Sequence, residues 1–131
     1  MKSKSESILT IIVIALIWLV PLTAKAAGPY DGFWVVNEVP DMIVSFNQSG
    51  DEVVVLTLLT DTGQWNALTG QVQGAQVELS YVISVNGVTA VYLVEFISAT
   101  TATTTLTSCS PFIACLNEQP INVPHSVTKI F

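Results

Sequence analysis

Apolar and polar side chains alternate through most of the chain beyond residue 30, where Val and Thr are abundant. A period of two predicts β-strands with one buried face, because successive side chains of a strand point to opposite sides. Gly, Asn, Asp and Ser interrupt the pattern at short intervals, which is typical of strands joined in consecutive hairpins. The predicted strands are residues 33–37, 42–47, 52–60, 64–72, 76–85, 88–97, 101–107 and 126–131.

The turn sequences predict which residues face each other, because loop length fixes the register of a hairpin. Ser49-Gly50 suits a two-residue loop, and Asp61-Thr62-Gly63 suits a three-residue loop with Gly in the left-handed position. Together the two loops predict one inner apolar face. Its pairs are Val44 with Val55, Phe46 with Val53, and Leu59 with Trp65.

Asn86-Gly87 predicts a further two-residue hairpin whose inner face is also apolar. The pairs are Val77 with Phe96, Leu79 with Val94, Tyr81 with Tyr92, and Ile83 with Ala90. Gln73-Gly74 marks another turn, and only a three-residue loop there keeps Trp65 and Tyr81 on one side. The length of that loop stays open.

Eight short strands in consecutive hairpins predict an all-β, antiparallel up-and-down meander that forms a small barrel. A two-sheet sandwich is the alternative, but closure into a barrel removes exposed strand edges. A barrel of this strand number either holds one small ligand or is filled by side chains. The sequence leaves that choice open.

Residues 1–26 have the pattern of a secretory signal peptide. Lysines precede an apolar run over residues 8–20, and Ala24-Lys25-Ala26 offers a cleavage site. The run is shorter than the roughly 20 residues of a spanning helix. We therefore expect residues 27–131 to be a single periplasmic or secreted domain without a membrane span; an uncleaved N-terminal anchor is the alternative.

The net charge of the predicted mature domain limits which molecules it can bind. After cleavage the domain keeps one lysine, Lys129, against nine carboxylates, a net charge of about −8. Nucleic acids are excluded, because binding to phosphates needs clustered Lys and Arg. With His125 as the only histidine and no Cys/His cluster, phosphate loop or nucleophile elbow, we predict no metal site, no cofactor and no catalytic residue.

Cys109 and Cys115 enclose residues 110–114, and in an exported chain such a pair is first interpreted as a disulfide. A ring this short would fix the shape of one surface loop rather than add much stability. Phe112 and Ile113 lie within it. They either contact a ligand or partner, or fold inward over the end of the barrel.

The Asn86-Gly87 register also places Glu78 opposite Glu95, where two like charges repel. A solvated surface pair, a pair that shares a proton or a cation, and the two carboxylates of a retaining glycosidase all fit this geometry. We favour the solvated pair, because exposed carboxylates swing into water and a domain this small rarely supplies a sugar-binding cleft.

Tyr30-Asp31-Gly32-Phe33-Trp34 opens the first predicted strand. Its Gly-x-Trp resembles the start of calycin-type barrels, which include the lipocalin, avidin and fatty-acid-binding families. The resemblance implies that Trp34 closes one end of the barrel and that Gly32 lets the chain turn into the first strand. The short mature chain with one predicted disulfide is also similar to small bacterial barrels that inhibit secreted proteases.

These features predict a non-enzymatic binding module that captures a small apolar ligand or a partner protein. An inhibitor of a secreted hydrolase is the alternative, with a filled core and a mobile arm over residues 27–31. Strand 52–60 is apolar on both faces, so either a second subunit in a homo-oligomer or a second sheet would cover its outer face. The predicted ligand-binding residues are Trp34, Trp65, Tyr81, Tyr92, Phe112 and Ile113.

Overall fold

The computed structural model describes residues 27–82, 87–111 and 120–131 of the 131-residue chain. The predicted signal segment, residues 1–26, lies outside the described residues. No helix within the described part is long and apolar enough to cross a membrane.

Eight strands follow one another along the chain, and each pairs antiparallel with its sequence neighbours. The first strand also pairs with the last, which closes the barrel. The prediction of an antiparallel meander barrel is confirmed, and the alternative sandwich is not the fold. The strands are β1 (Gly32–Val36), β2 (Val39–Ser49), β3 (Glu52–Leu59), β4 (Trp65–Gln73), β5 (Gln76–Tyr81), β6 (Thr89–Phe96), β7 (Thr101–Ser110) and β8 (Pro124–Lys129).

The up-and-down order gives the barrel two distinct ends. At one end, which we call the base, β1 begins and β2, β4 and β6 turn into the strands that follow them. At the other end, which we call the mouth, the connections after β1, β3, β5 and β7 meet. The mouth therefore includes the longer connections.

The β2–β3 register differs from the predicted one. The loop is Gly50-Asp51 rather than Ser49-Gly50, so Phe46 lies opposite Val55 instead of Val53. Gly50 has a φ of 65° at the first loop position, as a type II′ turn requires. Because the shift covers an even number of residues, each side chain keeps its predicted face.

The β3–β4 register is shifted by one residue, which reverses a face. Leu58 pairs with Trp65, and Leu59 N donates a hydrogen bond to Gln64 O at 2.8 Å. The loop is therefore residues 60–63, one residue longer than predicted. Trp65 lies on the outer surface and is 67% exposed, so the prediction that its indole points inward is wrong.

The β5–β6 register is shifted by two residues from the predicted one. Residues 83–86, which include Ile83 and Asn86 of the predicted hairpin, lie outside the described residues. Gln76 lies opposite Glu95, and Glu78 lies opposite Leu93. Gln76 Nε2 donates a hydrogen bond to Glu95 Oε1 at 2.8 Å. The predicted direct pairing of Glu78 with Glu95 is therefore wrong.

The loop between β4 and β5 has two residues, one fewer than the length that would keep Trp65 and Tyr81 on one side. Gln73 pairs with Gln76, so the loop is Gly74-Ala75, and Gly74 has a φ of 65°. This register places Tyr81 opposite Leu68. Tyr81 therefore points inward with the buried Leu68.

Apolar side chains fill the base of the interior. Trp34 is 0% exposed, and its ring lies 6.0 Å from Phe46 and 5.6 Å from Phe96, centroid to centroid. Trp34 Nε1 donates to Tyr30 O at 3.0 Å, which satisfies the one polar atom of the indole. Tyr30 stacks on Phe96 at 3.6 Å. Trp34 thus closes the base, as the resemblance implied.

The first and last strands meet at Gly32. Its φ is 138°, and a Cβ there would lie 2.0 Å from the carbonyl oxygen of Phe131. Phe33 N donates a hydrogen bond to that same oxygen at 3.1 Å. Only glycine combines this backbone conformation with so close an approach.

Candidate ligand-binding cavity

A cavity of about 150 Å³ occupies the barrel interior between the base and the mouth. Most of its lining is apolar and comes from all eight strands. The apolar lining residues are Trp34, Val36, Met42, Val44, Phe46, Val55, Leu59, Leu68, Leu79, Val94, Phe96, Ala102 and Val127. The interior is therefore partly empty rather than solid.

Three aromatic rings form the floor of the cavity. Trp34 and Phe46 meet edge to face with an interplanar angle of 61°. Phe46 and Phe96 also meet edge to face, with ring centroids 5.5 Å apart and an interplanar angle of 75°. Such edge-to-face contacts fix the rings against one another, so the floor is a rigid surface.

Polar groups lie higher in the cavity, toward the mouth. They are Thr57, Gln64, Asn66, Tyr81, Tyr92 and Thr104. The hydroxyl oxygens of Tyr81 and Tyr92 lie 3.4 Å apart, and their rings meet edge to face at 6.2 Å. Within the described part, the side chains of Thr57, Asn66 and Thr104 make no hydrogen bond. These groups can donate to or accept from a bound molecule.

Charged side chains stay outside the cavity. None lines it among the described residues. Glu38, Asp41 and Asp61 are exposed on the connections at the mouth or at their edges. Lys129 lies at the opposite end, with Nζ 5.9 Å from the centroid of the Trp34 ring. The potential at the entrance is therefore negative.

The predicted site residues fall into three groups. Trp34, Tyr81 and Tyr92 line the cavity, with Trp34 at its floor. Trp65 lies on the outer surface. Phe112 and Ile113 lie outside the described residues, as does Cys115, so the disulfide ring that would carry them stays a prediction.

Sequence reasoning missed the polar lining. Thr57 and Asn66 occupy paired positions on β3 and β4, and both side chains point inward. The signal was present in the period of two, because Thr57 alternates with the outward Leu56 and Leu58. The same alternation in β4 gave the wrong face for Asn66, because the predicted β3–β4 loop was one residue too short.

His125 lies on β8 with its side chain 15% exposed. Its Nδ1 is 3.7 Å from Glu38 Oε2, and neither ring nitrogen has a hydrogen-bond partner. His125 pairs with Thr104 across the strands. No group of three or more His, Cys, Asp or Glu side chains that could hold a metal ion occurs in the described part.

An apolar patch covers the outer surface of β3 and the start of β4. Val54, Leu56 and Leu58 are 47%, 44% and 40% exposed. Leu58 pairs with the exposed Trp65. Among the described residues, no charged side chain interrupts this patch, which we call the outer apolar face. Contiguous exposed apolar surface of this kind marks contact sites on many proteins.

Comparison with known proteins gives no family: the sequence matches no protein-family model, no curated protein and no solved structure. The closed eight-stranded antiparallel meander is consistent with a calycin-like fold. The features of this chain that indicate a function are therefore its cavity and its outer apolar face.

Proposed function

We propose that this protein is a binding module that holds one small apolar molecule inside its barrel. The observation that carries the proposal is the cavity of about 150 Å³, with an aromatic floor and a polar upper wall. A cavity of about this volume in another protein binds benzene. Apolar lining with a few placed polar groups is the usual composition of small-molecule sites.

The Gly32-Phe33-Trp34 opening supports the same function, because the barrels that it resembles carry small ligands in their interiors. The signal-like pattern of residues 1–26 supports a location in the periplasm or outside the cell as part of this proposal. β7, which contains Cys109, ends at the mouth. The ligand contacts predicted for Phe112 and Ile113, which lie outside the described residues, belong to this proposal.

The alternative function, inhibition of a secreted hydrolase, has less support. It needs a filled core and a free arm before β1. The interior holds a cavity, and Asp31 ties the arm to the barrel, because its carboxylate accepts hydrogen bonds from Gly28 N and Gln48 N. Tyr30 is further held by stacking on Phe96.

Methyl NMR during a benzene titration tests the ligand proposal. We expect the inner methyl groups of Val55, Leu68 and Leu79 to shift and saturate. The outer methyl groups of Val54 and Leu56 should hardly move and serve as internal controls. The proposal fails if the inner methyl groups do not respond, or if only the outer ones do.

A second candidate function is binding of a protein partner at the outer apolar face. The exposure of Leu56, Leu58 and Trp65 favours it, and a second copy of the chain is the simplest partner. Leu56→Lys places a charge in the centre of this face. Sedimentation over a range of concentrations should show a self-association that Leu56→Lys abolishes and Ser80→Lys, on the exposed outer side of β5, leaves intact. A monomer at every concentration contradicts the second copy.

A further inference from the structure

We infer that the barrel selects a neutral, single-ring compound with one hydrogen-bonding substituent, and that it rejects carboxylates such as fatty acids. The inference rests on the proposed function and specifies the class of ligand. It combines three observations: the shape of the floor, the position of the polar wall and the distribution of charge.

The floor favours a ring. Trp34, Phe46 and Phe96 meet one another at angles of 59° to 75° with centroids 5.5 to 6.0 Å apart. A planar ligand placed on them meets both ring faces and ring edges, which is the arrangement that aromatic pairs prefer. A flexible alkyl chain gains no such contacts and loses more conformational freedom on binding.

The polar wall is placed to hold one substituent. Thr57 and Asn66 face each other across β3 and β4, and Thr104 lines the same cavity from β7. Their side chains make no hydrogen bond to the described part of the protein. A ring seated on the floor would therefore point a hydroxyl or amide group upward, where donors and acceptors are available.

The charges exclude anions. No cationic side chain lines the cavity among the described residues, so a buried carboxylate would have no counter-ion, which is costly. Lys129, beneath the floor, is separated from the cavity by the Trp34 ring that it contacts. At the entrance, Glu38, Asp41 and Asp61 repel negative ligands before they enter.

The test compares matched probes by calorimetry at pH 7. Benzyl alcohol and benzoate have the same ring and differ in charge, while hexanol and hexanoate repeat the comparison without a ring. We expect benzyl alcohol to bind most tightly and benzoate to bind at least about tenfold more weakly. Hexanol should bind more weakly than benzyl alcohol.

Two variants locate the binding. Thr57→Phe fills the cavity from β3 and should abolish binding of benzyl alcohol. Leu58→Phe adds the same bulk at the next residue, on the outer apolar face, and should leave the affinity unchanged. Circular dichroism of both variants shows whether each has folded. If Thr57→Phe does not fold, Thr57→Val replaces it, and we expect Thr57→Val to weaken binding by about three- to tenfold.

The outcomes separate the two proposals. If benzoate or hexanoate binds as tightly as the neutral probe, the ligand class is wrong and the binding cavity stands. If hexanol equals benzyl alcohol, the preference for a ring is wrong. If no probe binds, the proposed function itself fails. If Leu58→Phe weakens binding as much as Thr57→Phe, the site lies outside the barrel and both proposals fail.

Discussion

The base and the mouth are formed by the same eight strands, but their interiors differ. At the base, Trp34, Phe46 and Phe96 pack against one another, and the indole nitrogen is hydrogen-bonded. Toward the mouth, the side chains are smaller or polar and surround an empty space. Stability and ligand binding should therefore be separated along the barrel axis. Substitutions at the base should mainly lower stability, and substitutions in the cavity wall toward the mouth should mainly change binding.

The largest expected effect is at the floor. Trp34→Ala removes the largest fully buried side chain and should lower the free energy of unfolding by about 3–5 kcal/mol. Trp65→Ala is the matched control on the outer surface and should cost less than about 1 kcal/mol. Urea denaturation measures both. Equal losses would mean that the base is not the stabilising end.

The second-largest loss of stability is expected where β1 pairs with β8. Gly32→Ala introduces both an unfavourable φ and a clash with the carbonyl oxygen of Phe131. We expect a loss of about 2–3 kcal/mol. Gly63→Ala, at the mouth, has a positive φ of 68° but nothing within 4 Å of the added Cβ, and should cost about 1 kcal/mol. Urea denaturation compares these two variants as well. A Gly63→Ala loss as large as that of Gly32→Ala would refute the role of the clash.

A smaller loss should follow at the segment before β1. Asp31→Ala removes the acceptors for Gly28 N and Gln48 N. This substitution should lower stability by about 1–2 kcal/mol, because the site is partly exposed. It should also increase the rate of hydrogen exchange at Gly28, which reports release of the arm. Unchanged exchange would show that Tyr30 alone holds it.

The smallest effect on stability is expected in the cavity wall. Thr57→Val keeps the shape of the side chain and removes a hydroxyl that makes no hydrogen bond to the part of the protein that the structure describes. Its free energy of unfolding should stay within about 0.5 kcal/mol of the original or rise slightly. Denaturation shows whether this holds, and a loss of more than about 1 kcal/mol would mean that the hydroxyl stabilises the fold.

The alternating pattern was sufficient to predict the eight strands and the meander, because a period of two reports which face is buried. It did not determine register. The extra loop residue at Thr60 reverses the orientation of Trp65, whereas shifts by an even number left Val55 and Tyr81 facing inward. A loop one residue longer has nearly the same composition, so sequence alone could not separate these cases.

The cavity was unpredictable for a different reason. Its volume depends on how side chains from all the strands meet at the axis, and no local pattern contains that information. Thr57 and Asn66 therefore resembled ordinary strand residues until the neighbouring strands were in place. Trp34 was identifiable because Gly32 precedes it in a recognisable opening.

Pairing between β1 and β8 also constrains the order of folding. The hydrogen bonds between Phe33 and Phe131 join segments from opposite ends of the described chain, so ring closure must wait until β8 has been synthesised. Before then, the edge of β1 that faces β8 is unpaired, and Trp34 lacks its neighbour Lys129. A chain that lacks β8 therefore cannot enclose the cavity, because the wall between β1 and β7 is missing.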